Sequence, residues 1–199
     1  MNVVLSALKH YVWGGKYMKT HNQLRNECFV FVDNEFFDKD YQTKYGIEGI
    51  LILALIQKNL LVRNNKYIFN LQFLFNELNI KQNNSIQQKK IRNCLLQLQN
   101  DNVIISDDDM SKINNTQLVY ADISIPDNNY TIVYDYELNK IINYKQENLY
   151  NLFNLFVFLK YRIGNRGYCY WNQTDIAHSI GLKSRKVVSR MVNVLATEL

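Results

Sequence analysis

The sequence predicts a mainly α chain with short β wings, built as two tandem copies of one unit. Three observations carry this. First, residues 29–82 read again 102 positions later as residues 131–184. Val30 falls on Ile132, Asp33 on Asp135 and Glu35 on Glu137; Ile50, Leu53 and Ile56 fall on Leu152, Leu155 and Phe158. Further along, Leu74, Leu78, Ile80 and Lys81 fall on Ile176, Ile180, Leu182 and Lys183. The matches keep apolar character more than identity. Second, one proline and seven glycines in 199 residues are few for a sheet-rich protein and suit helices joined by short loops. Third, each copy ends in an amphipathic basic stretch.

The elements follow in order. Residues 1–27 lie outside the repeat and read as a leader or flexible arm, with Gly14-Gly15 as a loose joint and Met18 as an alternative start. The first domain covers 28–125. Phe29 to Val32 is a β-prone lead strand, and Ile47 to Leu61 is apolar almost all round, as a core helix is. Lys66 to Phe69 suits a brief strand. Leu71, Leu74, Phe75 and Leu78 then recur at helical spacing until Asn79 stops the helix. Ser85 is the expected N-cap of the next helix, whose stripe is Ile91, Cys94, Leu95 and Leu98. Val103–Ile105 and Gln117–Ile125 make a hairpin around an acidic loop.

Pro126 to Asn129 is the expected linker, and residues 130–199 form the second domain. It repeats the order: lead strand Tyr130–Tyr134, core helix Leu149–Tyr161, short strand Tyr168–Trp171, helix Thr174–Ile180. Gly181 stands where a left-handed residue ends a helix. Ser184 caps the last helix, striped by Val188, Met191, Val192 and Leu195. The sequence stops at Leu199, where the first copy enters its hairpin, so the natural protein is expected to continue into a second wing. Helix, strand, helix, turn, helix and hairpin is the order of a winged helix, giving two tandem winged helix-turn-helix domains.

Charge points to the partner. The net charge is +5, yet Lys81, Lys89, Lys90 and Arg92 give +4 within residues 81–99, and Lys183, Arg185, Lys186 and Arg190 give +4 within 183–195. Neither stretch contains an acid, so the rest of the chain is net −3 (5 − 8). Basicity focused in this way is the footprint of a polyanion. In a helix-turn-helix the second helix enters the major groove by its N-terminal end, which places Lys183, Ser184, Arg185, Lys186, Ser189 and Arg190 at double-stranded DNA. Arg and Lys suit guanine O6 and N7, while hydroxyl and ammonium groups suit phosphate. The first copy offers Asn84, Ser85, Gln87, Gln88, Lys89, Lys90 and Arg92, whose amides suit adenine and an A·T-rich site. Two solvated helix faces, and an asparagine-rich composition, are the bland alternatives.

Other features carry less. Asp107, Asp108 and Asp109 sit in the first wing loop, where a phosphate-tracking wing would be basic; a solvated loop or a protein contact fits them better than calcium. Phe153, Phe156, Phe158, Tyr161, Tyr168, Tyr170 and Trp171 have the spacing of core rather than of a base-stacking platform. Asp33/Asp135 and Glu35/Glu137 fit a shared strand-to-helix turn. Three cysteines (Cys28, Cys94, Cys169) without metal or redox spacing fit a reducing cytoplasm. The run Ile47–Ile56 is too short to span a bilayer. His10, His21 and His178 are scattered, and no phosphate loop or nucleophile elbow is present, so no enzyme, cofactor or metal is expected.

The run Phe29 to Ile105 resembles the N-terminal winged-helix module of replication initiators and replisome organisers of plasmids and phages in Gram-positive bacteria. The resemblance rests on Tyr45-Gly46-Ile47-Glu48, on Lys66 to Leu78, and on Lys90-Ile91-Arg92 leading to Leu95, Leu98 and Val103-Ile104. Gly167 to Leu199 is similar to the second winged helix of such initiators. The resemblance implies sequence-specific binding to origin repeats in DNA replication, with a helicase-loading or oligomerising region further on; a replication or regulatory protein and further copies of the chain are the other expected partners. It departs from the family in its acidic first wing and absent second wing. A transcriptional or partition regulator of the same fold, and a winged-helix protein-interaction module without DNA binding, are the other readings.

Overall fold

A computed structural model of the chain describes residues 29–37, 44–61, 66–124, 127–164 and 171–197. The expected leader 1–27 and most of the expected strand Tyr168–Trp171 lie outside these residues; Trp171, which is described, is not in a strand. The described residues form a mixed α/β fold with seven α-helices and six short strands, which pair into two small antiparallel sheets.

Strand β1 (Phe29–Asp33) runs into a 3-10 turn over Asn34–Phe37. Helix α1 (Gly49–Gln57) follows, then β2 (Leu60–Leu61), β3 (Lys66–Phe69), α2 (Leu71–Glu77) and α3 (Ser85–Asn100). Next come β4 (Ile104–Ile105), β5 (Val119–Ile123) and β6 (Tyr130–Tyr134). Helices α4 (Asp135–Asn143), α5 (Leu149–Ile163), α6 (Gln173–Ser179) and α7 (Arg185–Thr197) complete the chain.

All nine residues of α1 are buried, as a helix apolar on every side must be. It is shorter than the expected Ile47–Leu61 because Leu60 and Leu61 turn back to pair with Tyr67 and Lys66. The first turn of α1 is tight. A methyl group on Gly49 would stand 2.7 Å from the Tyr45 Cβ and 3.6 Å from the Phe36 ring. Gly49→Ala is therefore expected to cost about 1–3 kcal/mol, the usual penalty of overpacking. A shift in the urea midpoint measures it, and an unchanged midpoint would mean that the Tyr45 turn yields freely.

The helices before the two turns are built alike. Asn70 caps α2 by accepting from Phe73 N, and its repeat equivalent Asn172 caps α6 by accepting from Thr174 N and Asp175 N. At the other end Asn79 (φ 54°) and its equivalent Gly181 (φ 71°) are both left-handed. Ile80 N then donates to Phe75 O at 2.8 Å, and Leu182 N to Ala177 O at 2.7 Å. These bonds coincide under the 102-residue offset. The cap of α3 is one residue earlier than expected: Asn84 Oδ1, not Ser85, accepts from Gln87 N at 3.2 Å.

In the larger sheet the order is β2-β3-β5-β4, so the strand between α1 and α2 pairs with the returning strand of the hairpin. The smaller sheet joins the two copies. Lead strand β1 pairs antiparallel with lead strand β6, Val30 opposite Val133 and Phe31 opposite Ile132. Exchanging each residue of the first pair for its repeat equivalent yields the second pair, so the ladder has an approximate twofold at its centre. Val30, Val32 and Val133 face inward, and Phe29, Phe31, Tyr130 and Tyr134 make edge-to-face contacts on the other side. The Gln57 amide accepts from Phe31 N and donates to Phe31 O, at 2.8 and 2.7 Å, which satisfies the two outward groups of Phe31 on the open edge of β1.

One hydrophobic cluster runs through both copies. Phe37 of the first lies edge-on to Phe158 of the second, with ring centres 5.3 Å apart, and Asn154 Nδ2 on α5 donates to Ile47 O. Phe153 and Phe158 are fully buried, and Phe156, Tyr161 and Trp171 pack against the same core; Tyr168 and Tyr170 lie outside the described residues. Glu137, expected in a turn, lies instead in the first turn of α4. Its buried carboxylate accepts from Tyr134 N and pairs with Lys160, whose ammonium sits 4.8 Å from the Tyr134 ring. Cys94 is buried on the α3 stripe, and desolvation, reinforced by the Glu48 carboxylate, pushes its thiol pKa well up.

Candidate nucleic-acid interface

Helix α3 follows α2 across the left-handed Asn79, and α7 follows α6 across Gly181, so the two basic helices occupy equivalent places. They differ in reach. Their stripes align at an offset of 97 (Ile91 with Val188, Leu98 with Leu195), whereas their first residues, Ser85 and Arg185, are 100 apart. Helix α3 thus extends three residues further beyond its part of the core.

The cations divide into two kinds. Lys89, Lys90, Arg185 and Lys186 are exposed, and their side chains make no hydrogen bond or ion pair among the described residues; Lys183 and the turn residue Lys81 are exposed as well. Arg92 and Arg190 are engaged. The Arg92 guanidinium donates to Ile113 O at 2.8 Å and to Asn115 Oδ1 at 2.7 Å, tying α3 to the hairpin loop. Arg190 forms a two-point pair with Glu147, its Nη2 2.8 Å from Oε2, and this carboxylate raises the guanidinium pKa further.

The polar candidates divide in the same way. Gln87 Nε2 donates to the Tyr150 hydroxyl at 3.1 Å, so α3 touches the start of α5. Gln88 Nε2 donates to Lys81 O and Gln82 O, bracing the turn. Asn84 and Ser184 serve as caps, Ser184 Oγ accepting from Lys186 N at 3.3 Å, while Ser85 is exposed and Ser189 half-buried. The surface that the N-terminal part of α3 leaves open is therefore Ser85, Ile86, Lys89, Lys90 and Asn93. Sequence reasoning missed Ile86 and Asn93. Ile86 lies five residues before Ile91, off the apolar stripe, and that displacement is the signal that marks it as outward-facing. Burial and distant partners, by contrast, leave no such local trace in Gln87 or Arg92.

The acidic loop is folded by its own carboxylates. Asp109 accepts from Ser111 N and Oγ and pairs with Lys112 at 2.9 Å, which holds its carboxyl down to about 2, the Ser111 hydroxyl being the largest cause. Asp108 accepts from Gln117 Nε2, and Met110 and Ile113 tuck into the core. Arg92 closes this arrangement. Arg92→Ala is expected to destabilise the chain by about 1–3 kcal/mol by leaving a carbonyl without its charged donor. Amide exchange should quicken first across residues 106–118; protection that stays uniform would mean that the loop holds without Arg92.

Among the described residues, no group of three or more His, Cys, Asp or Glu could hold a metal ion, and no helix is long and apolar enough to cross a membrane. His178 is exposed on α6. Compared with protein-family models, with curated proteins and with solved structures, the chain matches none.

Proposed function

We propose that this chain is a sequence-specific double-stranded DNA-binding protein made of two winged helix-turn-helix halves, and that it initiates or organises replication of a plasmid or phage. One observation carries the DNA reading. The same capped helix, left-handed turn and basic helix is built twice, and each basic helix keeps two unpaired cations on its outer surface, Lys89 and Lys90 on α3 and Arg185 and Lys186 on α7. Three features support the winged-helix assignment of the first half: its helix order, the β3-β5-β4 pairing, and the hairpin that closes the core. The resemblance to plasmid and phage initiators supports the replication role.

On this reading α3 and α7 enter major grooves of one duplex. The approximate twofold at the β1–β6 ladder supports a relation between the two halves like that of two subunits in a symmetric dimer. The half-sites are then inverted within one site, and one chain suffices to read both. Free ammonium and guanidinium groups neutralise phosphates, and the ends of the helices read bases. Arg92 and Arg190 hold the fold that presents them.

The test is a salt-dependent titration against random duplex and single-stranded DNA, with a selection of preferred duplexes. Tight duplex binding, a steep salt slope and a two-part selected site are expected. A dissociation constant no tighter than about 10⁻⁴ M at physiological salt, the weak end of ordinary non-specific binding, would overturn the reading. Selected sites that map to the chain's own promoter rather than to an origin would replace replication with regulation.

A further inference from the structure

Ile86 is 74% exposed, more than any other large apolar side chain among the described residues. Single exposed apolar side chains are ordinary on protein surfaces. This one is distinguished by its place. It occupies the second position of α3, within the turn by which that helix outreaches α7, and Ser85, Lys89 and Lys90 are exposed around it. No acid occurs between residues 81 and 99.

Resting on the DNA reading above, we propose that Ile86 reads the C5 methyl group of a pyrimidine, thymine or 5-methylcytosine, in the major groove. The chemistry is specific. The thymine methyl is the one apolar feature that a base pair shows in the major groove, and an aliphatic side chain is its natural neighbour. A β-branched side chain on a helix is held in few rotamers, so Ile86 loses little freedom when it packs there. The free lysines beside it reach phosphates and hold the helix end in the groove, while Gln87 and Gln88, turned to Tyr150 and the Lys81–Gln82 carbonyls, leave the tip to Ile86. Aligned by the apolar stripes, the counterpart of Ile86 is Lys183, which is exposed in the turn two residues before α7. The two half-sites therefore differ at this position: a pyrimidine methyl is read in one, and a guanine edge or a phosphate is met in the other.

The experiment takes the best duplex from the selection and replaces each thymine in turn by uracil, which removes only the methyl. It is run on the full chain and on Ile86→Ala and Ile86→Val. Wild type should weaken about fourfold at one thymine, the effect of one buried methyl group. Ile86→Ala should bind the thymine duplex as weakly as wild type binds the uracil duplex, and should be indifferent to the exchange; Ile86→Val should keep most of the dependence. Cytosine at that position should restore binding only when 5-methylated, which separates recognition of the methyl from recognition of the thymine O4. Duplex binding with no methyl-dependent position, or a dependence that survives in Ile86→Ala, overturns this inference and leaves the DNA reading standing. No duplex binding at all overturns both.

Discussion

Replacing Phe158 by alanine is expected to destabilise both halves of the chain together, by about 3–5 kcal/mol. Phe158 is fully buried on α5 and lies between two rings from different parts of the chain. Phe37, from the first copy, is edge-on to it at 5.3 Å, and Trp171, from the second, at 5.4 Å. The guanidinium of Arg162 lies over the same ring at 5.3 Å and over Trp171 at 4.2 Å. Truncation removes the ring from all three neighbours and leaves a void between elements that cannot close independently. Domains of ordinary size are stable by about 5–15 kcal/mol, so the loss is a large share of the total. The measurement is urea unfolding followed by tryptophan emission and by far-ultraviolet circular dichroism. Coincident transitions that shift together are expected for wild type and variant. Two separate transitions, with only one of them moved by Phe158→Ala, would show that the halves fold independently and that the shared core contributes little.

The same junction shows where the sequence stops being informative. The capped helices α2 and α6, the turns after them and the helices α3 and α7 were legible because their signals are local. Asn70 and Asn172 lie beside the helix ends they cap, Asn79 and Gly181 tolerate the left-handed turn, and the stripes ending in Leu98 and Leu195 repeat at helical spacing. The pairing of β1 with β6 is of another kind. Alternation predicts which face of a strand is buried but not which strand lies beside it, and here the partners are about a hundred residues apart. The roles of Arg92 and Arg190 were hidden for a related reason. A cation on a polar helix face looks alike whether it waits for phosphate or reaches a carbonyl 21 residues away, as Arg92 does at Ile113. Helix α4 fell between these cases: Asp135 and Glu137 mark the start of an α-helix, yet the equivalent Asp33 and Glu35 stand at a 3-10 turn over Asn34–Phe37.

That division of the cations sets the second large expectation. Removing Lys89, Lys90, Arg185 and Lys186 together, each to alanine, should lower the slope of log affinity against log salt by about 3.6, or 0.9 for each phosphate no longer neutralised. Extrapolated along the same relation, affinity should fall about a thousandfold at 0.15 M salt and hardly at all near 1 M. All four side chains are exposed and unpaired, so their removal costs little folding free energy, and an unchanged urea midpoint should accompany the weaker binding. Arg190→Ala supplies the contrast. Its charge is already compensated by Glu147, whose side chain is 7% exposed. Removing it should change the salt slope by less than one counterion, because a guanidinium held by Glu147 neutralises no phosphate. If Arg190→Ala lowers the slope as much as Lys186→Ala does, the ion pair opens on DNA and the guanidinium belongs with the groups that meet phosphate. If the fourfold variant keeps the wild-type slope, the cations on α3 and α7 do not meet a polyanion, and the two exposed basic helices serve a protein partner instead.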